Sequence, residues 1–400
     1  MFQPSRPKCA ADFIPVAKAV RAEMQKTSAE VDRTGDYPFD NIRLIEDSGL
    51  LSLGVPAGIN NGSASHDRID DVSALTEIIA DLAAGESSTA QIFLVTRQHS
   101  YEYLREGSPL GPEARQTLIE RMKTERVRFC DASAERYKVR HLFEVPCRKV
   151  KGGVVVSGTK HFGTGITGST YVHSTVAMMA DDGTRIGDHE VLIDLKSEGV
   201  EVLNDWDNMG QRATCSNSVT YHDVFVPDGF HWTTAGTSVP WAAPDRQNNL
   251  AAMSVGIAEG ALDALCDFMR NRSSYAGAAE DPVILCAIGR YTAAVTAARS
   301  TLTQSARLTE KFLRGQDGIT GPEAMQMAAV AKLMAVRTAT EVSGEMQILC
   351  GGQSSSNAFR LDRFWRNART LSVQDVLTIR ERDLGRWALE TRGVAPKATL

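Results

Sequence analysis

The chain contains no run approaching the roughly 18 apolar residues that would cross a membrane. Its opening segment, MFQPSRPKCAADF, also lacks the apolar core that a secretory leader requires, so a cytoplasmic protein with no membrane partner is expected. Cysteine pairs at CxxC spacing are missing. The seven cysteines, at 9, 130, 147, 215, 266, 286 and 350, are odd in number and scattered, which suggests neither a disulfide framework nor a zinc site. The eight histidines avoid HxxxH and HExxH spacing, so no protein-bound metal is expected. An excess of cationic charge is missing too: 44 Lys and Arg stand against 49 Asp and Glu, a net charge of -5. Without surplus cations to neutralise phosphates, nucleic acid is not an expected partner.

What is present is ordinary globular composition, 42% hydrophobic and 23% charged over 400 residues, enough for two or three compact units. The apolar pattern divides the chain into residues 1–122, 123–240 and 241–400. In the first, IDDVSALTEIIADLAAG places Val72, Leu75, Ile79 and Leu82 on one helical face with Gly85 at the stop, and Asp40 is an expected N-cap. In the second, GGVVVSGTKHF, TYVHSTVAMM, HEVLIDL and NSVTYHDVFVP read as strands parted by DDG and SEG turns, an antiparallel β-domain. In the third, the helical period returns, as in PEAMQMAAVAKLMAVRTATEVSGEMQILC, opened by Pro322 and closed by Gly351-Gly352. The fold class is α+β, helical at both ends.

Gly163, Gly165 and Gly168 in GTGITG have the GxGxxG spacing of a dinucleotide turn. That turn must open a helix whose N-terminus holds the pyrophosphate, whereas the next residues, STYVHSTVAMM, are β-branched and aromatic. A glycine-rich loop between strands is the better reading.

Four segments, taken in order, resemble the acyl-CoA dehydrogenase superfamily: EDSGLLSLGVP, GGVVVSGTKHFGTG, DNMGQRATCSNSVTYHDVFVP, and GIAEGALDALCDFMRNRSSY followed by MQILCGG and RFWRNAR. Around DRFWRNAR the likeness is to the dibenzothiophene monooxygenase-like branch. The resemblance implies a two-component flavin monooxygenase and a homotetramer or homodimer. Reduced flavin (FMNH2 or FADH2) would come from a separate reductase, oxygen would be the co-substrate, and a flavin C4a-hydroperoxide would oxygenate a small heteroatom-containing or aromatic substrate.

The resemblance also implies a site. Phe162 falls where the family packs an aromatic side chain near the flavin ring, and Thr164 where a hydroxyl bonds near N5. His161 should face away from Phe162 by strand alternation. Asp131 and Ser133 in FCDASAER lie where backbone passes the pyrimidine edge. Arg272 takes the place of the arginine that grips flavin phosphate, a task suited to a bidentate guanidinium, with Tyr275 where the family has phenylalanine. Gly351 and Gly352 resemble the turn that lets backbone approach the phosphate or nucleotide end, and would equally serve as a plain helix C-cap.

The catalytic candidates are Thr164, His99, Gln374 and Asp375. True dehydrogenases carry a glutamate base where Asp375 stands; aspartate is one methylene shorter, setting its carboxylate about 1.5 Å back. The family's alternative base position holds Arg246, beside Asp245. Gln374 stands where the monooxygenase branch often has histidine, and an amide cannot shuttle a proton near neutral pH. His99 lies in the helix from which that branch projects a pocket histidine. Oxygenation is the favoured reading, with an acyl-CoA dehydrogenase or oxidase and a non-catalytic flavin-binding member as alternatives.

Overall fold

The computed structural model describes residues 9–56, 59, 71–135, 143–233, 242–271 and 277–391. Five helices come first: α1 (Ile14–Thr34), α2 (Phe39–Asp47), α3 (Val72–Gly85), α4 (Ser87–Leu104) and α5 (Pro112–Thr124). Eight strands follow: β1 (Phe129–Asp131), β2 (Pro146–Val150), β3 (Gly153–Gly163), β4 (Tyr171–Met179), β5 (Arg185–Asp194), β6 (Val200–Val202), β7 (Asn217–Pro227) and β8 (His231–Thr233). Helices α6 (Ala242–Asn271), α7 (Pro282–Leu313), α8 (Gly321–Cys350), α9 (Asp362–Ser372) and α10 (Leu377–Thr391) complete the described residues.

The face of α3 read from periodicity is buried, but so are most of its other positions, because α1, α4, α6 and α7 pack around it. Small residues permit this enclosure. A Cβ built on Gly256 of α6 would stand 2.2 Å from the carbonyl of Ala80, so the two helices touch backbone to backbone only with glycine there. Asp40 does not cap α2: Pro38 occupies that position, and Asp40 sits within the first turn, where its charge still favours the helix dipole. Helix α8 opens with Thr320 accepting from the amide of Glu323, whose carboxylate reaches back, a capping box with proline just inside. Helix α4 starts on Glu86, whose buried carboxylate accepts from the amides of Ser88 and Thr89 at 3.0 and 2.7 Å.

The sheet order is β6-β7-β3-β2-β4-β5-β8, with β1 also on β4. It is mixed rather than antiparallel. Both β1 and β2 run parallel to β4, Phe129–Asp131 beside Tyr171–His173 and Pro146–Arg148 beside Ala177–Met179. They lie along a single edge of β4, and alternation within each strand could not reveal the direction. The glycine-rich loop holds a single short turn over Ile166–Gly168 before β4, in place of a phosphate-binding helix.

A buried ion cluster closes the C-terminal helices onto the rest. Asp32 of α1 is 4% exposed and accepts from Arg366 Nη2 at 2.6 Å and Arg360 Nε at 2.8 Å. Arg212, in the loop between β6 and β7, donates to the Asp32 carbonyl at 3.0 Å, and Arg366 donates to the Met209 carbonyl at 2.7 Å. Asp32 thus ties α1 to α9 through its carboxylate and to the β6–β7 loop through its backbone carbonyl. Burial alone would push its pKa up, yet the two guanidiniums hold it below the ordinary carboxylate value. Replacing Asp32 by alanine leaves two guanidiniums facing each other without their anion, and should lower the unfolding free energy by about 3–5 kcal/mol in urea titrations. The exposed Glu30–Arg33 pair on the same helix is the control: Arg33→Ala should leave the midpoint unchanged.

Candidate active site

Beta-strand alternation fails at the end of β3, and the failure exposes a ring. The register with β7 shifts between Lys160 and Gly163, leaving His161 and Phe162 in a bulge. Lys160 is fully buried, whereas Phe162 is 59% exposed and holds φ +63°, a left-handed conformation uncommon for an aromatic residue. Its ring meets Trp206 edge to face at 6.1 Å. His161 turns to Ser218, with Nδ1 to Oγ at 2.7 Å. A strained backbone that presents an apolar ring outward is a feature expected of a ligand platform rather than of packing.

Beside this ring a line of polar side chains ends on Thr164. The Ser87 hydroxyl donates to Gln211 Oε1 at 2.7 Å, Gln211 Nε2 donates to Gln91 Oε1 at 2.9 Å, and Gln91 Nε2 donates to Thr164 Oγ1 at 3.5 Å. The Ser216 hydroxyl donates to the same Thr164 oxygen at 3.2 Å. Thr164 Oγ1 is thus where two hydrogen-bonded branches meet, one through Gln91 and one through Ser216. Gln211 is anchored through its amide, which donates to Asn367 Oδ1 on α9 at 2.7 Å. Neither Gln91, Gln211 nor Ser216 was a candidate from the sequence, because each acquires meaning only from a partner more than fifty residues away.

Two turns further along α4, about 12 Å at 1.5 Å per residue, His99 joins a second group. Its Nε2 lies 3.5 Å from Asp131 Oδ2, and its Nδ1 lies 3.1 Å from the Tyr103 hydroxyl. His173 of β4 bridges two carboxylates, with Nδ1 3.2 Å from Asp131 Oδ2 and Nε2 2.7 Å from Glu190 Oε2. Burial alone would lower the His173 pKa, but the two carboxylates outweigh it and raise it to about 10. Asp131 is held well below the carboxylate range despite its burial, by His173 and His99. Ser133 lies close by, its hydroxyl accepting from the Thr175 amide at 3.2 Å. Lys160 Nζ donates to the Ser133 carbonyl at 3.3 Å and is ion-paired with Glu135.

Asp375 lies in a third place. Its Oδ2 accepts from Lys332 Nζ at 2.6 Å, Gln247 Nε2 at 3.2 Å and Arg380 Nε at 3.3 Å. Burial would raise its pKa, but Lys332 and Arg380 hold it down to about 2. A carboxylate so committed is poorly placed to take a proton. Gln374 has an exposed side chain in the turn between α9 and α10. Asp245 is buried beside Asn249, and Arg246 is exposed. Gly351 ends α8 with φ +68° and ψ -170°, backbone that only glycine adopts readily, and its carbonyl accepts from the Ser354 hydroxyl at 2.7 Å. A Cβ on Gly352 would meet open space. Arg272 and Tyr275 lie outside the described residues.

The predicted catalytic residues therefore form three separate groups. Thr164 stands beside the Phe162 platform, His99 with Asp131, and Asp375 with Lys332.

Comparison with known proteins gives the same fold. Residues 249–377 match the family described as "Acyl-CoA dehydrogenase, C-terminal domain". A protein of Pseudomonas putida named a probable FMNH2-dependent monooxygenase is 27% identical, covering 98% of this chain and 97% of its own. Dibenzothiophene monooxygenase of Rhodococcus erythropolis is 28% identical over the same shares. Dibenzothiophene monooxygenase from Paenibacillus sp. A11-2, solved with FMN bound, superposes with a TM-score of 0.83 at 25% identity, covering 95% of this chain and 97% of its own.

The Asp375 pair carries a pH signature. Its folded pKa of about 2 lies below the ordinary 3.8, so its contribution to stability is complete above about pH 4 and is lost as pH falls toward 2. Asp375→Asn leaves Lys332, 2% exposed, without its anion. That variant should be less stable by roughly 3 kcal/mol at pH 7, and the gap from the parent protein should narrow below pH 4 in denaturant titrations.

Proposed function

We infer that this chain, which belongs to the acyl-CoA dehydrogenase superfamily, is the oxygenase component of a two-component flavin monooxygenase. It takes FMNH2 from a separate reductase and uses oxygen on a small aromatic or heteroatom-containing substrate. The observation that carries the reading is the outward-facing Phe162 ring, held at φ +63° beside a polar line that ends on the Thr164 hydroxyl. An isoalloxazine needs both features, an apolar face to pack against and a directional hydrogen bond at its edge. The residues present fit it.

Bound reduced flavin supplies the oxygen-activating chemistry; the chain's own side chains position it. Phe162 and Trp206 are the surface against which the ring would lie. Thr164 is the residue that would bond its N5 side, its hydroxyl held in place by Gln91 and Ser216. Gln211 fixes the orientation of Gln91, and α9 fixes Gln211 through Asn367. Arg272, Tyr275, Gly351 and Gly352 are the proposed phosphate-end contacts. Ser133 and Asp131 have side chains committed to Thr175 and to two histidines, so their contribution to the flavin would come from backbone. No proton transfer is assigned to Gln374 or Asp375. A dehydrogenase reading needs a free carboxylate base, and Asp375 is bound to a buried lysine instead.

Reduced flavin and seven unpaired cysteines fit a reducing cytoplasm. Exposed apolar side chains on the C-terminal helices, among them Val283 at 73% and Ile348 at 72%, support a homo-oligomer, a tetramer or dimer.

Anaerobic titration should show FMNH2 binding more tightly than oxidised FMN, and admission of oxygen should then be followed by oxygen uptake. If no reduced flavin binds, or if an acyl-CoA bleaches tightly bound oxidised FAD, the reading fails. Thr164→Val removes one hydroxyl and should reduce product formation about 10- to 100-fold while flavin oxidation continues, measured as product per flavin consumed. Gln91→Leu should act in the same direction and less strongly.

A further inference from the structure

Strand β8 is three residues long and lies at one edge of the sheet, paired among the described residues with β5 alone. Its partners are His189 for Thr233, Glu190 for Trp232 and Val191 for His231. Alternation gives so short a strand two different faces. On one, Trp232 stacks on His173 at 5.9 Å and meets Tyr103 edge to face at 5.9 Å, walling the group around His99. On the other, His189 Nε2 lies 2.9 Å from His231 Nδ1, and His231 Nε2 lies 3.3 Å from Asp228 Oδ1. That row of side chains is a second attachment for a strand with few backbone bonds.

Chemistry fixes the direction of the row. A carboxylate only accepts, so His231 Nε2 carries the hydrogen; the Nδ1 of a neutral His231 is then bare and accepts from the Nε2–H of His189. His189 Nδ1 remains as a lone pair, buried and without a partner among the described residues. The residue itself is 4% exposed. Opposite it on β4 stands Val176, which shares an apolar cluster with Val191, Val224 and Val226. Glu190 adjoins His189 in the chain but points to the other face, where it bonds His173, and Asp188 is held by Arg185.

An added proton breaks this order. On His231 Nδ1 it confronts the N–H of His189; on His189 Nδ1 it places a charge among valines. The bond survives only if the His189 hydrogen moves to Nδ1, where it is buried unpaired. Burial first, and His231 next, push the His189 pKa down from 6.5 to about 4. The folded value lies below the ordinary one, so the contribution to stability is complete above about pH 6.5 and is lost as pH falls toward 4.

We propose that His189, His231 and Asp228 form a pH-sensitive clasp that holds β8 on β5 and so positions Trp232 against His173. It is closed while both imidazoles are neutral and opens when either gains a proton. Its effect on turnover rests on the flavin reading, in which His99 and its neighbours border the pocket: acid would loosen that wall. The clasp itself requires no flavin.

The test is acrylamide quenching of tryptophan fluorescence on the full chain without flavin, from about pH 8 to pH 4, with Trp232→Phe subtracted to isolate Trp232. In the parent, quenching of Trp232 should rise roughly two- to threefold as pH falls from 6.5 to 4, with far-UV circular dichroism unchanged. His189→Leu has no clasp and should be readily quenched at every pH. His189→Gln keeps one: its amide nitrogen donates to neutral His231 and its amide oxygen accepts from protonated His231, so Trp232 should stay protected throughout. Urea midpoints are a second reading, and over the same range the parent's should fall further than that of either variant. The proposal is overturned if Trp232 quenching in the parent is flat, if His189→Leu protects Trp232 at neutral pH, or if His189→Gln opens with acid as the parent does. Oxygenase activity enters none of these measurements, so the clasp and the flavin reading fail separately.

Discussion

A carboxylate removed from water must be neutralised where it stands, and the buried Asp32 meets that demand with groups from distant parts of the chain. Arg360 and Arg366 reach it from either side of the turn into α9, and Arg212 bonds its carbonyl from the β6–β7 loop. The arrangement sets more than stability. Once Arg366 is placed, Asn367 on the next position of α9 holds the amide of Gln211, and Gln211 aims Gln91 at Thr164. The orientation of the Thr164 hydroxyl beside the Phe162 ring therefore depends on an ion cluster several side chains away.

The same economy of polar groups divides the interior into three regions with different electrostatic tasks. Around Thr164 every donor and acceptor is neutral, so the line of amides and hydroxyls has direction without net charge. Around His173 two carboxylates flank one imidazole, and His99 adds a second imidazole beside Asp131. Around Asp375 a buried lysine and an arginine hold one carboxylate ionised. Carboxylate chemistry of the dehydrogenase type would require the third group to give up its partner. The departure at Gln374-Asp375 thus has a structural counterpart: Asp375 fastens α8 to the segment entering α10.

Local order was legible in the chain because it depends on neighbours three or four residues away. The stripe of Val72, Leu75, Ile79 and Leu82, the strand runs from 153 to 227, Pro322 at the head of α8 and the rejection of GTGITG as a phosphate turn all follow from such spacing. Phe162 and Thr164 could be singled out through resemblance, one residue on each side of a glycine. The parallel pairing of β1 and β2 with β4 could not, since each strand alternates identically whichever way its neighbour runs.

Composition and periodicity by themselves determined helices at both ends, strands between them, and a chain without surplus cationic charge. Only the tertiary structure decided which polar side chains meet. Gln91 and Gln211 are 120 residues apart, His173 and Asp131 are 42, and Asp32 and Arg366 are 334. Such contacts carry no periodic mark, because they arise from closing long loops around a packed core, where a polar group left without a partner costs more than the bond itself contributes.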